Sequence, residues 1–62
     1  MRGAGATAAL FAALDLENPV ARSAAATTLL AIGAEGARAA VGRLAHGDPD
    51  PDVRRACAAG MG

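Results

Sequence analysis

No lysine, tryptophan or tyrosine occurs in the chain, and Phe11 is its only aromatic residue. Without lysine there is no Schiff-base nucleophile and no phosphate-cradling loop of the lysine-ended type. A single cysteine, Cys57, rules out an internal disulfide framework and fits a reducing compartment, so the expected location is cytoplasmic. An excess of either charge is missing too, because six arginines balance six acids. No bulk attraction to nucleic acid or to an anionic membrane follows, and neither is expected as a partner. Nor does any stretch approach the roughly 20 apolar residues that span a bilayer. The alanine-rich run from Ala4 to Leu14 behind Met1-Arg2 passes straight into Asp15-Leu16-Glu17 without a small-x-small cleavage site. It reads as a helix, not as a secretory leader.

What the chain has is alanine. It supplies 19 of 62 residues, and beyond Met1 only 12 side chains are Val, Ile, Leu, Met or Phe. One small domain is the limit, and a chain of this size buries only about 60% of its unfolded surface.

Repetition organises these few residue types. Asn18-Pro19-Val20-Ala21-Arg22-Ser23-Ala24-Ala25 falls over Asp50-Pro51-Asp52-Val53-Arg54-Arg55-Ala56-Cys57 at an offset of 32. Just upstream, Leu10-Phe11-Ala12-Ala13-Leu14 falls over Ala40-Val41-Gly42-Arg43-Leu44 at an offset of 30. The chain therefore alternates two helix types with a repeat of about 30 residues. Asn18 and Asp50 are N-caps, because a short side-chain oxygen can accept from the first free N–H groups. Pro19 and Pro51 follow at the first helical position, where a missing N–H costs nothing. Gly33 and Gly47 stand where helices should stop. Ala21, Ala25, Leu29 and Ile32 form one apolar stripe, and Ala37, Ala40, Val41 and Leu44 another. On that stripe Leu29 faces inward, with Leu30 about 100° away. No segment has the alternation of a strand. These signals predict an all-α chain with helices over Ala6–Leu14, Pro19–Ile32, Gly36–Ala45 and Pro51–Ala59.

The segment from Pro19 to Gly33 resembles the first helix of a HEAT repeat of the short bacterial type named for phycobilisome lyases. Asp50-Pro51-Asp52-Val53-Arg54-Arg55-Ala56-Cys57 resembles that helix opening more closely still. The likeness runs from about Leu10 onward and departs at Ala21, where Val or Ile is usual, and at Gly42. It implies an α-α superhelix, HEAT-like or armadillo-like, of stacked antiparallel helix pairs, about two repeats in all. Residues 1–17 would be the second helix of a partial repeat, 18–47 a full repeat, and 48–62 the first helix of a truncated one. It also implies a protein-binding surface, with a protein partner, further repeats of the same solenoid or self-association. Arg22 and Arg54, at equivalent positions, resemble rungs of a ladder to acids of the adjacent repeat, with Asp48 or Asp50 as the acceptor for Arg22. The plainer reading of both arginines is a solvated surface charge.

Chemistry finds little support. Gly3-Ala4-Gly5-Ala6-Thr7-Ala8 matches a dinucleotide fingerprint, but no strand precedes it. Asp48-Pro49-Asp50-Pro51-Asp52 opens like a calcium loop, yet Val53 and Ala59 stand where glycine and a bidentate glutamate are needed. Cys57 with His46 could be imagined as nucleophile and base, but Cys57 lies on the inward stripe and reads as packing. His46 has no second ligand at zinc spacing, and the His-Glu pairs of the HEAT-like deoxyhypusine hydroxylases are lacking. No catalytic, cofactor or metal residue is assigned. Two alternatives remain: a bilin-lyase-type unit that serves an enzyme, and a helical-repeat nucleic-acid binder. The second would need arginines on one surface, whereas Arg38 and Arg43 point to different sides of their helix. If no helix follows Met61, then Val53, Cys57 and Met61 should be partly bare and form a partner-binding strip. With so thin a core, the isolated chain is expected to be molten, self-associating, or dependent on neighbours.

Overall fold

In the computed structural model the backbone is described from Arg2 to Met61 and the side chains over 5–61. Four helices follow one another: α1 (Arg2–Ala13), α2 (Pro19–Ile32), α3 (Ala37–Gly47) and α4 (Pro51–Met61). No strand occurs among the described residues. α2 is central and packs against the other three helices, while α4 also lies along α3. This is the arrangement of a helical repeat.

The helix boundaries follow from local chemistry. Asn18 stays extended, and its side-chain oxygen accepts from the Val20 and Ala21 N–H groups at 2.9 and 3.4 Å. Asp50 does the same for α4, accepting from Asp52 at 2.8 Å and from Val53 at 3.3 Å. Gly33 ends α2 with φ of 67°. Its N–H reaches the Leu30 carbonyl while that of Ala34 reaches Leu29, so two otherwise unpaired carbonyls are satisfied. A side chain there would strain a left-handed backbone.

Three expectations need correction. Gly47 is not a left-handed stop but the last residue of α3. The helix stops one residue later because Asp48 precedes Pro49, which pushes it into an extended conformation with ψ of 136°. Helices α1 and α4 are longer than expected, beginning at Arg2 and ending at Met61. The third correction concerns Ile32, which is 56% exposed although the stripe placed it inside. The buried arc of α2 is Ala25, Ala26 and Leu29, with Leu30 packed at its edge. At 100° per residue this arc is rotated about 50° from the anticipated stripe, toward Leu30. α2 meets three neighbouring helices rather than one, and together they cover the face centred on Ala25, Ala26 and Leu29.

The core is small and mostly apolar. Leu29, Val41, Val53 and Cys57 are its largest fully buried side chains. Alanines Ala25, Ala26, Ala37 and Ala40 fill the remaining space, so the helices approach closely. Leu10, Phe11, Leu44 and Met61 pack on this core from its edges.

Candidate functional site

The rotated face of α2 also carries Arg22, which lies within the same arc as Ala25, Ala26 and Leu29. It therefore points inward, toward the junction between α3 and α4. There Asp48 is buried, the only polar or charged residue so placed among those described. The Arg22 Nε donates to Asp48 Oδ2 at 2.8 Å, and Nη2 donates to Oδ1 at 3.0 Å. This is a bidentate fork between two elements 26 residues apart. The third guanidinium nitrogen, Nη1, donates to the Leu16 and Glu17 carbonyls, each at 2.8 Å. One side chain thus ties the α1–α2 connection to the α3–α4 connection.

Asp48 is satisfied on every side. Its Oδ1 also accepts from the Asp50 N–H at 2.9 Å, and its own N–H donates to the Leu44 carbonyl. The Arg54 guanidinium donates to the Asp48 carbonyl. No buried side-chain nitrogen or oxygen lacks a partner among the described residues. The Arg22 guanidinium holds the Asp48 carboxyl below its ordinary range; burial opposes this, and the Asp50 N–H assists. The same hydrogen bond raises the Arg22 pKa, against the effect of burial.

Of the two acids named as acceptors for Arg22, the structure brings Asp48 to it and leaves Asp50 as the cap of α4. Arg54 reaches a carbonyl, not a carboxylate. The expectation of a bare strip on α4 is corrected. Val53 and Cys57 are each 1% exposed, because α4 turns this face onto α2 and α3. Met61 is half-buried, packed on the core with its methyl over Gly42. Burial pushes the Cys57 thiol above its ordinary pKa, disfavouring the thiolate, while His46 is exposed in the last turn of α3. The glycines of the fingerprint-like segment lie inside α1, not at a turn. No cluster of three metal-ligating side chains occurs among the described residues.

The sequence implies recognition by a shallow groove between stacked helices, but apart from Arg22 and Asp48 it singles out as site residues none of those that line the one found here. This groove opens between the end of α1 and α3, with a volume of about 720 Å³. Phe11, Leu16 and Leu44 give it an apolar lining over the buried Leu14, and the Arg22–Asp48 pair lines it too. Asp15 and Glu17 stand on the α1 side, and Arg43 stands on α3. These three charged side chains are exposed and have no ion-pair or hydrogen-bond partner among the described residues. A signal for it was present in the 30-residue match, since Leu14 falls over Leu44 and both line the groove.

Four helices in this packing, with polar connections tied by an inward arginine, define a helical-repeat module. The family model described as HEAT repeats matches residues 1–62. The chain belongs to the HEAT-repeat family. No curated protein and no solved structure matches it. Among the described residues, no helix is long and apolar enough to cross a membrane.

Proposed function

We propose that the chain is a non-catalytic protein-interaction module whose recognition surface is the groove between α1 and α3. The observation that carries this reading is the groove itself, with apolar side chains inside and exposed charges of both signs on its walls. Protein interfaces are built in this way, with an apolar centre, aromatic and arginine residues, and a polar rim. HEAT repeats generally serve such a role, which supports the reading further. Residues 18–47 form the full repeat, flanked by second-helix and first-helix portions in 1–17 and 48–62. The Arg22–Asp48 fork is then the rung that joins the first helices of successive repeats, with Arg54 in the corresponding place on α4. The short phycobilisome-lyase type remains the subfamily that the helix openings favour, and a cytoplasmic location goes with it.

Site-specific photocrosslinking tests the proposal. A photoreactive residue replacing Leu44, in the groove, should capture protein partners in a cell extract that one replacing the exposed Ala58 on α4 does not. Equal capture from both positions, or capture of nucleic acid alone, would contradict it. Salt-steep nucleic-acid binding would favour the nucleic-acid reading instead.

A further inference from the structure

We infer that the groove takes a peptide segment from a different protein, one carrying an arginine or lysine, a large apolar side chain, and an aspartate or glutamate. This inference rests on the groove being the recognition surface and adds the chemistry of its occupant. Charge complementarity argues for that chemistry. Asp15 and Glu17 stand on the α1 side and Arg43 on the opposite helix, all three unpaired among the described residues. Between them Phe11, Leu16 and Leu44 offer apolar surface. A ligand that pairs with both walls must hold both signs of charge, separated by an apolar group, and a peptide does this with ordinary side chains.

Other occupants fit less well. The groove is open rather than enclosed, so a small molecule would bury little of its surface, whereas ligand pockets bury most of theirs. A polyanion would meet Asp15 and Glu17. Among its described arginines, a second copy of this chain would bring those two acids no unpaired cation but its own Arg43. Among the described arginines, Arg22 is held by Asp48, Arg38 and Arg54 by carbonyls of Met61 and Asp48, and Arg55 by Asp52. The remaining one, Arg43, gives a second copy one cation for two acids. The self-paired Arg22 and Asp48 are not available to the ligand either. Specificity therefore falls to Asp15, Glu17 and Arg43.

The test is selection of a displayed random dodecapeptide library on the full chain. Synthetic versions of the enriched peptides are then titrated into isotope-labelled protein and followed by amide chemical shifts. The expected peptides carry the basic, apolar and acidic elements and shift amides around Phe11, Leu16 and Leu44. Arg43→Glu should weaken them about tenfold, as should Asp15→Arg with Glu17→Arg, because like charges then face each other. Changing the peptide's acid to lysine should restore binding to the Arg43→Glu protein, while Arg55→Glu leaves binding unchanged. All these positions are exposed, so the variants keep the fold, and circular dichroism verifies this. Peptides that sit in the groove without charge dependence would overturn the inference and leave the groove reading standing. Binders that map elsewhere, or no enrichment at all, would overturn both. A concentration-dependent dimer occupying the groove without peptide would replace the partner with a second copy.

Discussion

The α2–α4 side of the molecule and the α1–α3 groove are built from the same poor alphabet and differ in how they treat polar groups. Against α3 and α4, the face of α2 is closed: Leu29, Val41, Val53 and Cys57 are fully buried, and both carboxylate oxygens of the buried Asp48 are hydrogen-bonded. In the groove, Phe11 and Leu44 are only half-buried, and Asp15, Glu17 and Arg43 are unpaired among the described residues. Closed packing costs least when no polar atom is stranded, whereas a surface meant for a partner keeps its charges uncommitted. The contrast separates residues that hold the fold from residues that recognise.

Substitutions can break or sharpen that contrast. The largest loss is expected for Leu29→Ala, at the centre of the closed side, at about 2–5 kcal/mol. Leu30→Ala should cost less, because Leu30 packs at the edge of the core. Paired denaturation curves check the ranking, and equal midpoints would refute it.

Next comes the fork. Arg22→Ala and Asp48→Ala should each destabilise, and the double variant should cost less than their sum, because the two share one interaction. A double-mutant cycle with zero coupling would return Arg22 to a solvated charge. The pH dependence has a definite sign. The folded-state pKa of Asp48 lies below its ordinary value. Its contribution is therefore fully present above the ordinary carboxylate range and is lost as pH falls through the lowered folded value. Melting curves in acid should show a shallower decline for Asp48→Asn than for the parent chain.

Smaller effects follow. Asp50→Ala removes a cap and should cost about 1 kcal/mol in denaturation. Gly42→Ala should stabilise by roughly 0.5–1 kcal/mol, since an interior helical glycine is unfavourable. The new methyl would meet Met61 Cε at 3.7 Å, an ordinary contact. A lower melting temperature for Gly42→Ala would show that α3 and α4 are packed too closely to accept it.

The caps were legible in the sequence because they are local: Asn18 and Asp50 act on the N–H groups two and three residues ahead. The all-α architecture was legible from the repeat. Ile32 was misplaced because a single stripe assumes one neighbour, and α2 has three. Nothing in the pattern around Val53 and Cys57 shows that α2 and α3 between them cover that face. Arg22 was anticipated as reaching an acid, but its bonds to the Leu16 and Glu17 carbonyls depend on a loop path that no residue pattern encodes. The lining of the groove is only partly legible: Leu14 and Leu44 share a repeat position, but the walls come from helices separated by a whole repeat.

The central claim is that the closed side holds the fold without help from the charges of the groove. Chemical denaturation of the triple variant Asp15→Ala, Glu17→Ala, Arg43→Ala tests this most directly. The account predicts unfolding within about 0.5 kcal/mol of the parent chain, as for surface positions without structural partners. A loss comparable to that of Leu29→Ala would contradict it and make these charges part of the scaffold.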